Sequence, residues 1–327
     1  MSAPRISVAM CTCNGARYVR EQLQSIARQT LAANELVVCD DASGDQTPEI
    51  VQEFAAGSTV RVRLVRNPQI LGCTRNFGQA IGLCEGDLIV LADQDDIWKP
   101  DKLAVIAHTF AVHPATGYVF SDADMVSEAG GRLGFSLWET VGFDPRRFAP
   151  SQQVEALLKR NLVTGAAMAF RPWLCRVLLP IPAAWRHDYW IVLLGSIFSW
   201  GVPIPERLLF YRRHLGQQMG CGKDTLLAKI KTSLAAEPGY YAKAARLAEL
   251  RKRAYTYSQA SNSPAVHLQL VREKELHLSQ RALIRSARGS ARILRLMSEA
   301  ASGRYQRFSF SWSSMVRDLT ATAAHPR

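Results

Sequence analysis

The sequence predicts an α/β protein, in which a mostly parallel β-sheet flanked by helices is followed by a basic helical extension. Short apolar runs alternate with segments of helical spacing, and this β-α-β rhythm is typical of a parallel sheet. Hydrophobic residues make up 48% of the 327 residues, enough to bury a core. Residues 1–218 contain 21 basic and 21 acidic side chains, whereas residues 219–327 contain 19 and 7. The whole net charge of +12 therefore lies in the last third.

The predicted sheet begins with four apolar runs that have the length and branching of buried strands. These runs are residues 6–10, 36–39, 62–65 and 88–92. The segments of helical spacing between them are residues 19–27, 50–54 and 75–83. Strands joined by helices in this way carry helices on both faces of the sheet and end at one common edge.

The segments that follow the fourth strand have less regular patterns. Residues 118–122 predict a fifth strand, residues 162–170 a strand with small side chains that permit close packing, and residues 203–210 a further strand. An apolar helix is predicted to begin at Arg186-His187-Asp188. Residues 127–150 are rich in Gly, Phe and charge, and we interpret them as a long loop or lid.

The last third predicts helices, and residues 283–297 have the clearest pattern. One face would carry Leu283, Ala287, Ala291 and Leu294, and the opposite face Arg285, Arg288, Arg292 and Arg295. Two interpretations fit this pattern: a basic amphipathic helix at a membrane interface, and a helix packed on the sheet domain with a solvated arginine face. The excess of positive charge favours an anionic membrane as the partner, and no nucleic acid is expected.

The composition favours a location inside the cell. Seven cysteines without regular spacing argue against a disulfide framework and for a reducing compartment. Residues 1–5 lead directly into the first strand, so no signal peptide is expected. The longest apolar stretch, residues 189–205, is interrupted by Gly, Ser and Pro and falls short of the roughly 18 apolar residues of a membrane span. We therefore expect a cytoplasmic protein that is peripheral at the inner face of the cytoplasmic membrane.

An acidic cluster, Asp93-Gln94-Asp95-Asp96, follows the strand at residues 88–92. Three carboxylates so close together repel one another, and a divalent cation with oxygen ligands would relieve the repulsion. The alternative is an acidic cap for the helix that begins near Lys99, but an N-cap requires only one carboxylate. The cluster therefore indicates a metal or nucleotide site.

Polar residues also follow the first two strands, namely Thr12 after the first and Asp40 and Asp41 after the second. Because ligands of open α/β sheets bind at the carboxyl ends of the strands, these side chains are expected to share one site with the acidic cluster. No glycine-rich phosphate loop is present in the sequence. A bound phosphate would therefore be met by a metal ion or by arginine.

Seven sequence elements match the pattern of a known family. They are Thr12-Cys13-Asn14-Gly15, Asp40-Asp41-Ala42-Ser43-x-Asp45, Asn67…Gly72…Arg75-Asn76, Asp93-Gln94-Asp95-Asp96-Ile97-Trp98, Gly165, His187-Asp188 and Tyr211-Arg212-x-His214. Over about residues 5–216, the sequence resembles glycosyltransferase family 2, which has the GT-A fold. It is most similar to rhamnosyltransferase-like members that build bacterial surface polysaccharides such as O-antigen and capsule. The resemblance implies a catalytic domain at residues 1–218, with a nucleotide-sugar half at about 1–125 and an acceptor half at about 126–218, before the extension at 219–327.

The resemblance also implies roles for individual residues. The positions that would bind the donor are Thr12, Asn14, Asp40, Asp41, Arg75, Asp93 and Arg212. A Mg²⁺ or Mn²⁺ ion would be held by Asp93, Asp95 and His214, and Asp188 matches the catalytic base. Cys13 departs from the family, where an aromatic residue is usual next to the base pocket.

Three of these positions also have a structural alternative. Asp188 would serve equally as a helix cap, His214 as a surface histidine after a strand, and Arg75 as a solvated residue at a helix start.

The resemblance and the residues together predict a metal-dependent inverting glycosyltransferase. Asp188 would accept the proton of the attacking hydroxyl, and one direct displacement requires a single catalytic carboxylate. The favoured donor is dTDP-rhamnose, and the expected acceptor is a polyprenyl-diphosphate-linked saccharide. One alternative is a sugar nucleotidyltransferase, which would need a Gly-rich, Lys/Arg-bearing signature that residues 12–15 lack. Another is a non-catalytic GT-A-like binding protein with a polyanion-binding tail.

Overall fold

The computed structural model describes residues 3–214 and 239–321. Within these ranges, one compact unit comprises residues 3–150 and 162–214, and a second comprises residues 151–161 and 239–321. The domain boundary predicted at residue 218 lies outside the described residues. The segment 151–161, which the sequence analysis assigned to the first domain, groups with the second unit.

The secondary structure of the described residues has the following bounds. The strands are β1 (Ile6–Thr12), β2 (Glu35–Asp40), β3 (Arg61–Arg66), β4 (Leu88–Asp93), β5 (Ile97–Trp98), β6 (Tyr118–Val126), β7 (Arg132–Ser136), β8 (Met168–Phe170) and β9 (Gly201–Arg212). The helices are α1 (Val19–Ala27), α2 (Thr47–Gly57), α3 (Cys73–Gly82), α4 (Lys102–Val112), α5 (Leu137–Val141), α6 (Gln153–Lys159), α7 (Cys175–Leu178), α8 (His187–Phe198), α9 (Tyr240–Ser261), α10 (Leu268–Ser286), α11 (Gly289–Ala301), α12 (Arg304–Phe308) and α13 (Trp312–Thr320). The strands predicted for the first half are confirmed as β1–β4, and the helices between them as α1–α3.

The strands of the first unit form one sheet in the order β3-β2-β1-β4-β8-β6-β9-β5, and β7 pairs with β6. Strands β3, β2, β1 and β4 are parallel, which confirms the predicted parallel core. Strand β8 is antiparallel to both β4 and β6, whereas β6 and β9 are parallel to each other. The register pairs Thr12 with Asp40 and Cys11 with Asp93, so the polar ends of three strands meet at one edge.

Helices cover both faces of this parallel core, because successive side chains of a strand point to opposite faces. Ile6, Val8 and Met10 of β1 share a hydrophobic core with α1, α2 and α4. Helix α3 packs against β1 and β2 through its buried Phe77 and Ile81, and α8 packs on α3. Central strand β4 is therefore apolar along nearly its whole length, as expected for a strand covered on both faces.

Residues 127–150 contain more regular structure than the predicted loop or lid. Strand β7 pairs with β6, and α5 follows it directly. The Ser136 hydroxyl accepts a hydrogen bond from the backbone N–H of Glu139, and the Glu139 carboxylate accepts one from the backbone N–H of Ser136. The prediction was wrong because the high glycine content of the segment obscured this Ser-x-x-Glu capping box.

The strand predicted at residues 162–170 is shorter than expected. Only Met168–Phe170 pair in the sheet, and Gly165–Ala167 form a turn of 3₁₀ helix. The carbonyl of Ala166 accepts a hydrogen bond from Lys102 Nζ at 2.7 Å. The small residues Gly165–Ala167 therefore form a turn that accepts a hydrogen bond from the buried Lys102, and they do not extend the strand.

The second unit is a bundle of helices around α10. Helices α9 and α11 pack along α10, which also contacts α12, α13 and α6. Helix α6 joins this bundle through α12, where Arg307 Nε donates to Glu155 at 3.1 Å. Across residues 3–214 and 239–321, every helix is too short or too polar to cross a membrane.

The single amphipathic helix predicted at residues 283–297 is two helices in the structure. Helix α10 ends at Ser286, and α11 begins at Gly289, which has a φ of 56°. Arg292 stabilises the break, because its guanidinium donates to the carbonyls of Arg285 and Ala287. The predicted pattern assumed uninterrupted helical spacing, and Leu294 of its apolar face is exposed.

Candidate active site

A cavity of about 710 Å³ lies at the carboxyl ends of β1 and β4. The residues with a predicted donor, metal or catalytic role that line this cavity are Thr12, Asn14, Asp41, Asp93, Asp95, Asp188 and His214. Lining residues that the sequence analysis did not assign include Arg17, Tyr18, Gln94, Glu128, Arg186 and His187. Side chains from distant parts of the sequence thus converge on one site.

Asp40 is buried and organises the turn after β2. Its carboxylate accepts hydrogen bonds from Thr12 Oγ1 at 2.8 Å, from Ser43 Oγ at 2.6 Å and from the backbone N–H of Ser43 at 3.0 Å. Asn14 completes the turn at a φ of 49°, a left-handed conformation that asparagine tolerates better than most residues. Its Oδ1 accepts from the N–H of Gly44 at 2.9 Å. Asp40 is absent from the cavity lining, and its contact with a donor stays a prediction.

Asp41 fixes the loop at residues 67–72 while it lines the cavity. Its carboxylate accepts hydrogen bonds from Asn67 Nδ2 at 3.1 Å, from the N–H of Leu71 at 2.7 Å and from the N–H of Gly72 at 2.9 Å. Gly72 has a φ of 84°, which favours glycine. The carboxylate is therefore held in one orientation by three donors.

The acidic cluster consists of Asp93, Asp95 and Asp96, whose carboxylate oxygens lie within 4.8 Å of one another. Burial, together with the charges of Asp95 and Asp188, raises the pKa of Asp93 to about 7. Burial and the same acidic neighbourhood raise the pKa of Asp96 well above its usual range. The N-cap position of α4 is Asp101, so the cluster does not occupy the helix cap considered as its alternative. Three carboxyl groups that converge in this way offer oxygen ligands that fit a hard divalent cation such as Mg²⁺ or Mn²⁺.

Lys102 supplies a buried positive charge near this cluster. Its Nζ donates to the carbonyl of Ala166 and lies 4.1 Å from the centroid of the Trp98 ring. Burial lowers the pKa of Lys102, whereas the charges of Asp96 and Asp93 oppose that effect. Lys102 is thus a positive charge that favours the ionised forms of Asp93 and Asp96.

His214 lies beside the cluster with its Nε2 at 2.7 Å from Asp95 Oδ2. Its side chain is only 10% exposed and packs on Tyr18, which excludes the alternative of a surface histidine. Arg212 is buried on the same strand end, and its guanidinium donates to the carbonyls of Asp95 at 2.9 Å and Glu128 at 2.7 Å. Arg212 thus fixes the backbone of the acidic loop, and its direct contact with a donor stays a prediction.

Asp188 lies in the first turn of α8, where it is almost fully buried. Its Oδ2 accepts from Arg186 Nη2 at 2.6 Å, and its Oδ1 accepts from the backbone N–H of Tyr189 at 2.6 Å. The cap position of α8 is Arg186, so Asp188 is not the helix cap that was its alternative. Arg186 orients the carboxylate and itself lines the cavity.

His187 packs next to Asp188 with its ring stacked on Phe77 at a centroid distance of 4.0 Å. Burial lowers the pKa of His187 to about 4, so the ring is neutral at pH 7. A Cβ atom at Gly165 would lie 2.6 Å from His187 Nε2. Glycine at position 165 therefore leaves the space that the imidazole occupies.

Gln94 joins the ends of β1 and β4. Its Oε1 accepts from the N–H of Cys13 at 2.8 Å, and its Nε2 donates to the carbonyl of Cys13 at 3.1 Å. An amide side chain among carboxylates is the sequence feature that could have indicated this backbone contact. An amide can both accept from the N–H and donate to the C=O of a neighbouring residue. Arg75 is exposed on α3 and absent from the cavity lining, so its donor contact stays a prediction.

A parallel half-sheet joined to a mixed half, with an acidic cluster at the end of its fourth strand, defines the GT-A class of protein. A family-wide sequence profile described as Glycosyl transferase family 2 matches residues 7–171, a little over half of the chain. The chain belongs to glycosyltransferase family 2, which confirms the predicted family, and the resemblance to rhamnosyltransferase-like members stays a prediction.

Individual relatives and structures are similar to the chain to different extents. An uncharacterised protein of Mycobacterium tuberculosis is 28% identical over 214 residues, which cover 64% of this chain and 59% of that protein. The chain thus spans less than two thirds of this relative's length. The UDP-Glc:alpha-D-GlcNAc-diphosphoundecaprenol beta-1,3-glucosyltransferase WfgD of Escherichia coli is 35% identical over 98 residues, which cover 30% of this chain and 38% of WfgD. A crystal structure of S. aureus TarS in complex with UDP-GlcNAc matches with a TM-score of 0.58 at 13% identity, over 96% of this chain and 79% of that chain, and shows a shared fold.

Proposed function

We propose that this protein is a metal-dependent, inverting glycosyltransferase that moves a sugar from a nucleoside diphosphate to a lipid-linked saccharide. One observation carries the proposal: a single cavity contains the acidic pair Asp93 and Asp95 together with the oriented carboxylate of Asp188. A volume of about 710 Å³ lies in the range of small-molecule sites. The cavity therefore combines a place for a charged leaving group with a base for the attacking hydroxyl.

The donor side of the cavity is built from Thr12, Asn14 and Asp41. Asp41 is held by three backbone and amide donors and would accept hydrogen bonds from the nucleotide base. Asp93 would contact the ribose, next to the turn that Asp40 supports. These rigid elements would orient the donor before reaction, which is how positioning contributes to rate.

Asp93, Asp95 and His214 would hold a divalent ion, either Mg²⁺ or Mn²⁺. Such an ion neutralises the negative charge that develops on a departing diphosphate. Asp96 would support the site from behind, because its Oδ1 accepts from the backbone N–H of Arg212 at 3.1 Å. Arg212 and Gln94 would keep the loop in place, since both bind its backbone or that of the adjoining strand.

Asp188 would act as the general base. It would take the proton from the acceptor hydroxyl as that oxygen forms a bond to the anomeric carbon, while the bond from this carbon to the nucleoside diphosphate breaks. Arg186 would hold the carboxylate towards the cavity through its 2.6 Å contact. One carboxylate and one displacement give inversion at the anomeric centre.

The sugar and the acceptor follow from the family pattern. We favour dTDP-rhamnose as the donor, because the combined motifs resemble rhamnosyltransferase-like members. The relative WfgD is named for a diphosphoundecaprenol-linked acceptor, which supports a lipid-linked saccharide as the acceptor of this chain. The basic last third would bind the anionic inner face of the cytoplasmic membrane, where such acceptors are held.

The substitution Asp188→Asn tests the base without changing the size of the side chain. We expect transfer to fall by about 10²- to 10⁴-fold, because a general base contributes that much, while donor binding is kept. Binding is measured by thermal shift with dTDP-, UDP- and GDP-sugars in the presence of Mn²⁺, and transfer by release of the nucleoside diphosphate. NMR of the product gives its anomeric configuration.

Asp144→Asn is a suitable control, since Asp144 pairs on the surface with Arg146 outside the cavity. Transfer by Asp188→Asn at the wild-type rate would disprove the base assignment. Donor binding without any transfer by the wild-type protein would favour a non-catalytic binding protein. Formation of nucleotide sugar from a sugar phosphate would favour a nucleotidyltransferase.

A further inference from the structure

Two helices of the second unit bury polar side chains. Helix α11 turns Glu299 inward, and α13 turns Ser314 and Asp318 inward. Glu299 and Asp318 are 2% and 0% exposed, respectively. A surface helix usually turns its apolar stripe to the core. Helix α11 also buries Leu296, so its inward face is mixed, whereas both buried side chains of α13 are polar.

The buried polar groups explain why the helices lie this way. Asp318 accepts hydrogen bonds from Arg281 Nε at 2.5 Å and from Tyr305 Oη at 2.7 Å. Glu299 lies 2.6 Å from the buried His277 Nδ1 and also pairs with Arg304. Buried charges are costly unless they are paired, so this network fixes which face of α11 and of α13 points inward.

The outward faces of the same two helices are apolar. The exposed large side chains are Ile293, Leu294 and Met297 on α11, and Trp312, Val316 and Leu319 on α13. Leu294 is 67% exposed, Met297 62% and Trp312 75%. The two helices pack on each other, and Arg292 Nη1 donates to the carbonyl of Leu319 at 3.0 Å. Adjacent helices that both expose apolar side chains indicate an interaction surface.

The charge around this surface identifies the partner. Residues 239–321 contain 15 basic and 5 acidic side chains. Two of the acidic residues, Glu299 and Asp318, are buried, whereas Arg288 and Arg295 of the α11 segment are exposed. A second copy of this chain would bring the same positive charge to the contact, but an anionic bilayer brings the opposite charge. Exposed tryptophan is typical of the membrane–water interface.

We propose that the exposed apolar faces of α11 and α13 insert into the interfacial layer of an anionic membrane, with Arg288 and Arg295 at the headgroups. This inference specifies the surface for the membrane association proposed above. Helices that lie in the interface plane bury one apolar face and keep basic residues beside it. The polar network of the unit keeps that face presented to the lipid.

The test is co-sedimentation of the full chain with vesicles of phosphatidylcholine, with and without phosphatidylglycerol, in the absence of donor and acceptor. We expect binding only with phosphatidylglycerol. The affinity of the double variant Leu294→Ser/Met297→Ser for these vesicles should be at least about tenfold lower than that of the wild type, because the variant lacks two inserting side chains. Arg288→Gln/Arg295→Gln should bind about 5- to 30-fold more weakly. Trp312 should give a blue-shifted emission on binding, and Trp312→Phe should lose that shift.

The matched control is Val112→Ser, which changes a 57% exposed apolar residue of the first unit and should bind like the wild type. Wild-type binding by Leu294→Ser/Met297→Ser would overturn the proposal. If light scattering shows a dimer of the wild-type protein and a monomer of the double variant, the apolar face binds a second copy of the chain and the proposal is wrong. A large fall in its melting temperature without vesicles would show that the chain covers the face itself. Because nucleotide-sugar transfer is measured separately with a soluble acceptor, failure here leaves the proposed reaction intact.

Discussion

Replacing Lys102 by methionine would test whether the acidic cluster depends on its buried lysine. Lys102 is fully buried, and methionine keeps most of its apolar length. The substitution removes the hydrogen bond to the Ala166 carbonyl and the positive charge near Asp96. The pKa of Asp96, which burial already raises, would then rise further, because the Lys102 charge opposes that effect.

The expected loss follows from these contacts. Leaving a buried polar group without its partner typically costs about 1–3 kcal/mol, and in this variant the Ala166 carbonyl loses its donor. The pKa of Asp96 is already raised by burial, so in Lys102→Met this carboxyl can take a proton and limit the loss at acidic pH. A raised pKa in the folded state contributes stability at low pH that is lost as the pH rises. We therefore expect the Lys102→Met penalty to be larger at pH 8 than at pH 5.

Urea denaturation measures the free energy of unfolding of the variant. Hydrogen exchange of peptides from β4 and α4 shows whether the loss of stability lies in this part of the sheet. Lys99→Met is the matched control, because Lys99 pairs with Asp124 at 2.8 Å but is partly exposed, and such pairs contribute about 0–1 kcal/mol. Asp96→Asn/Lys102→Met should recover part of the loss. A penalty for Lys102→Met no larger than that of the control at pH 8 would refute the reasoning.

Two further substitutions test the packing and the electrostatics of the chain. Gly165→Ala should lower the free energy of unfolding by about 1–3 kcal/mol and impair transfer, because the new Cβ would lie 2.6 Å from His187 Nε2. Urea denaturation measures this loss. Gly82→Ala is the control, because its Cβ would have its nearest contact at 3.5 Å. Burial lowers the pKa of Lys274 to about 7 from 10.5, so between these pH values the unfolded chain binds a proton that the folded chain lacks. Stability should therefore rise with pH across that window, and Lys274→Met should flatten the rise; an unchanged slope would contradict the assignment.

The parallel core could be predicted from sequence because each strand is a largely apolar run and turn or helical segments separate the strands. Strand β4 is the clearest case, since burial on both faces removes the alternation that a half-exposed strand would show. Helix α6 shows the limit of such reasoning. Its apolar residues Val154, Leu157 and Leu158 predict a helix, but local pattern carries no information about which of two cores they join. The contact of Glu155 with Arg307 links positions 152 residues apart.

The residue types of the candidate site could be predicted from the sequence, but the directions in which the individual side chains point could be predicted less well. Tyr211 lines the cavity, whereas its neighbour Arg212 binds the carbonyl of Asp95 and is absent from the lining. Successive side chains of a strand point to opposite sides of the sheet. Of two neighbouring residues, one therefore lines the cavity while the other contacts the protein backbone. Asp40 and Asp41 differ in the same way, because only Asp41 reaches the cavity.

The two ends of the cavity are electrostatically coupled. The charge of Asp188 contributes to raising the pKa of Asp93, although Asp93 belongs to the acidic cluster and Asp188 to α8. A cation bound at the cluster would offset this repulsion and favour the ionised form of Asp93. Without such a cation, a proton on Asp93 serves the same purpose, and protons therefore compete with a metal ion for the site. Asp188 and the acidic cluster are thus parts of one charge balance, to which the positive charges of Lys102 and Arg186 also contribute.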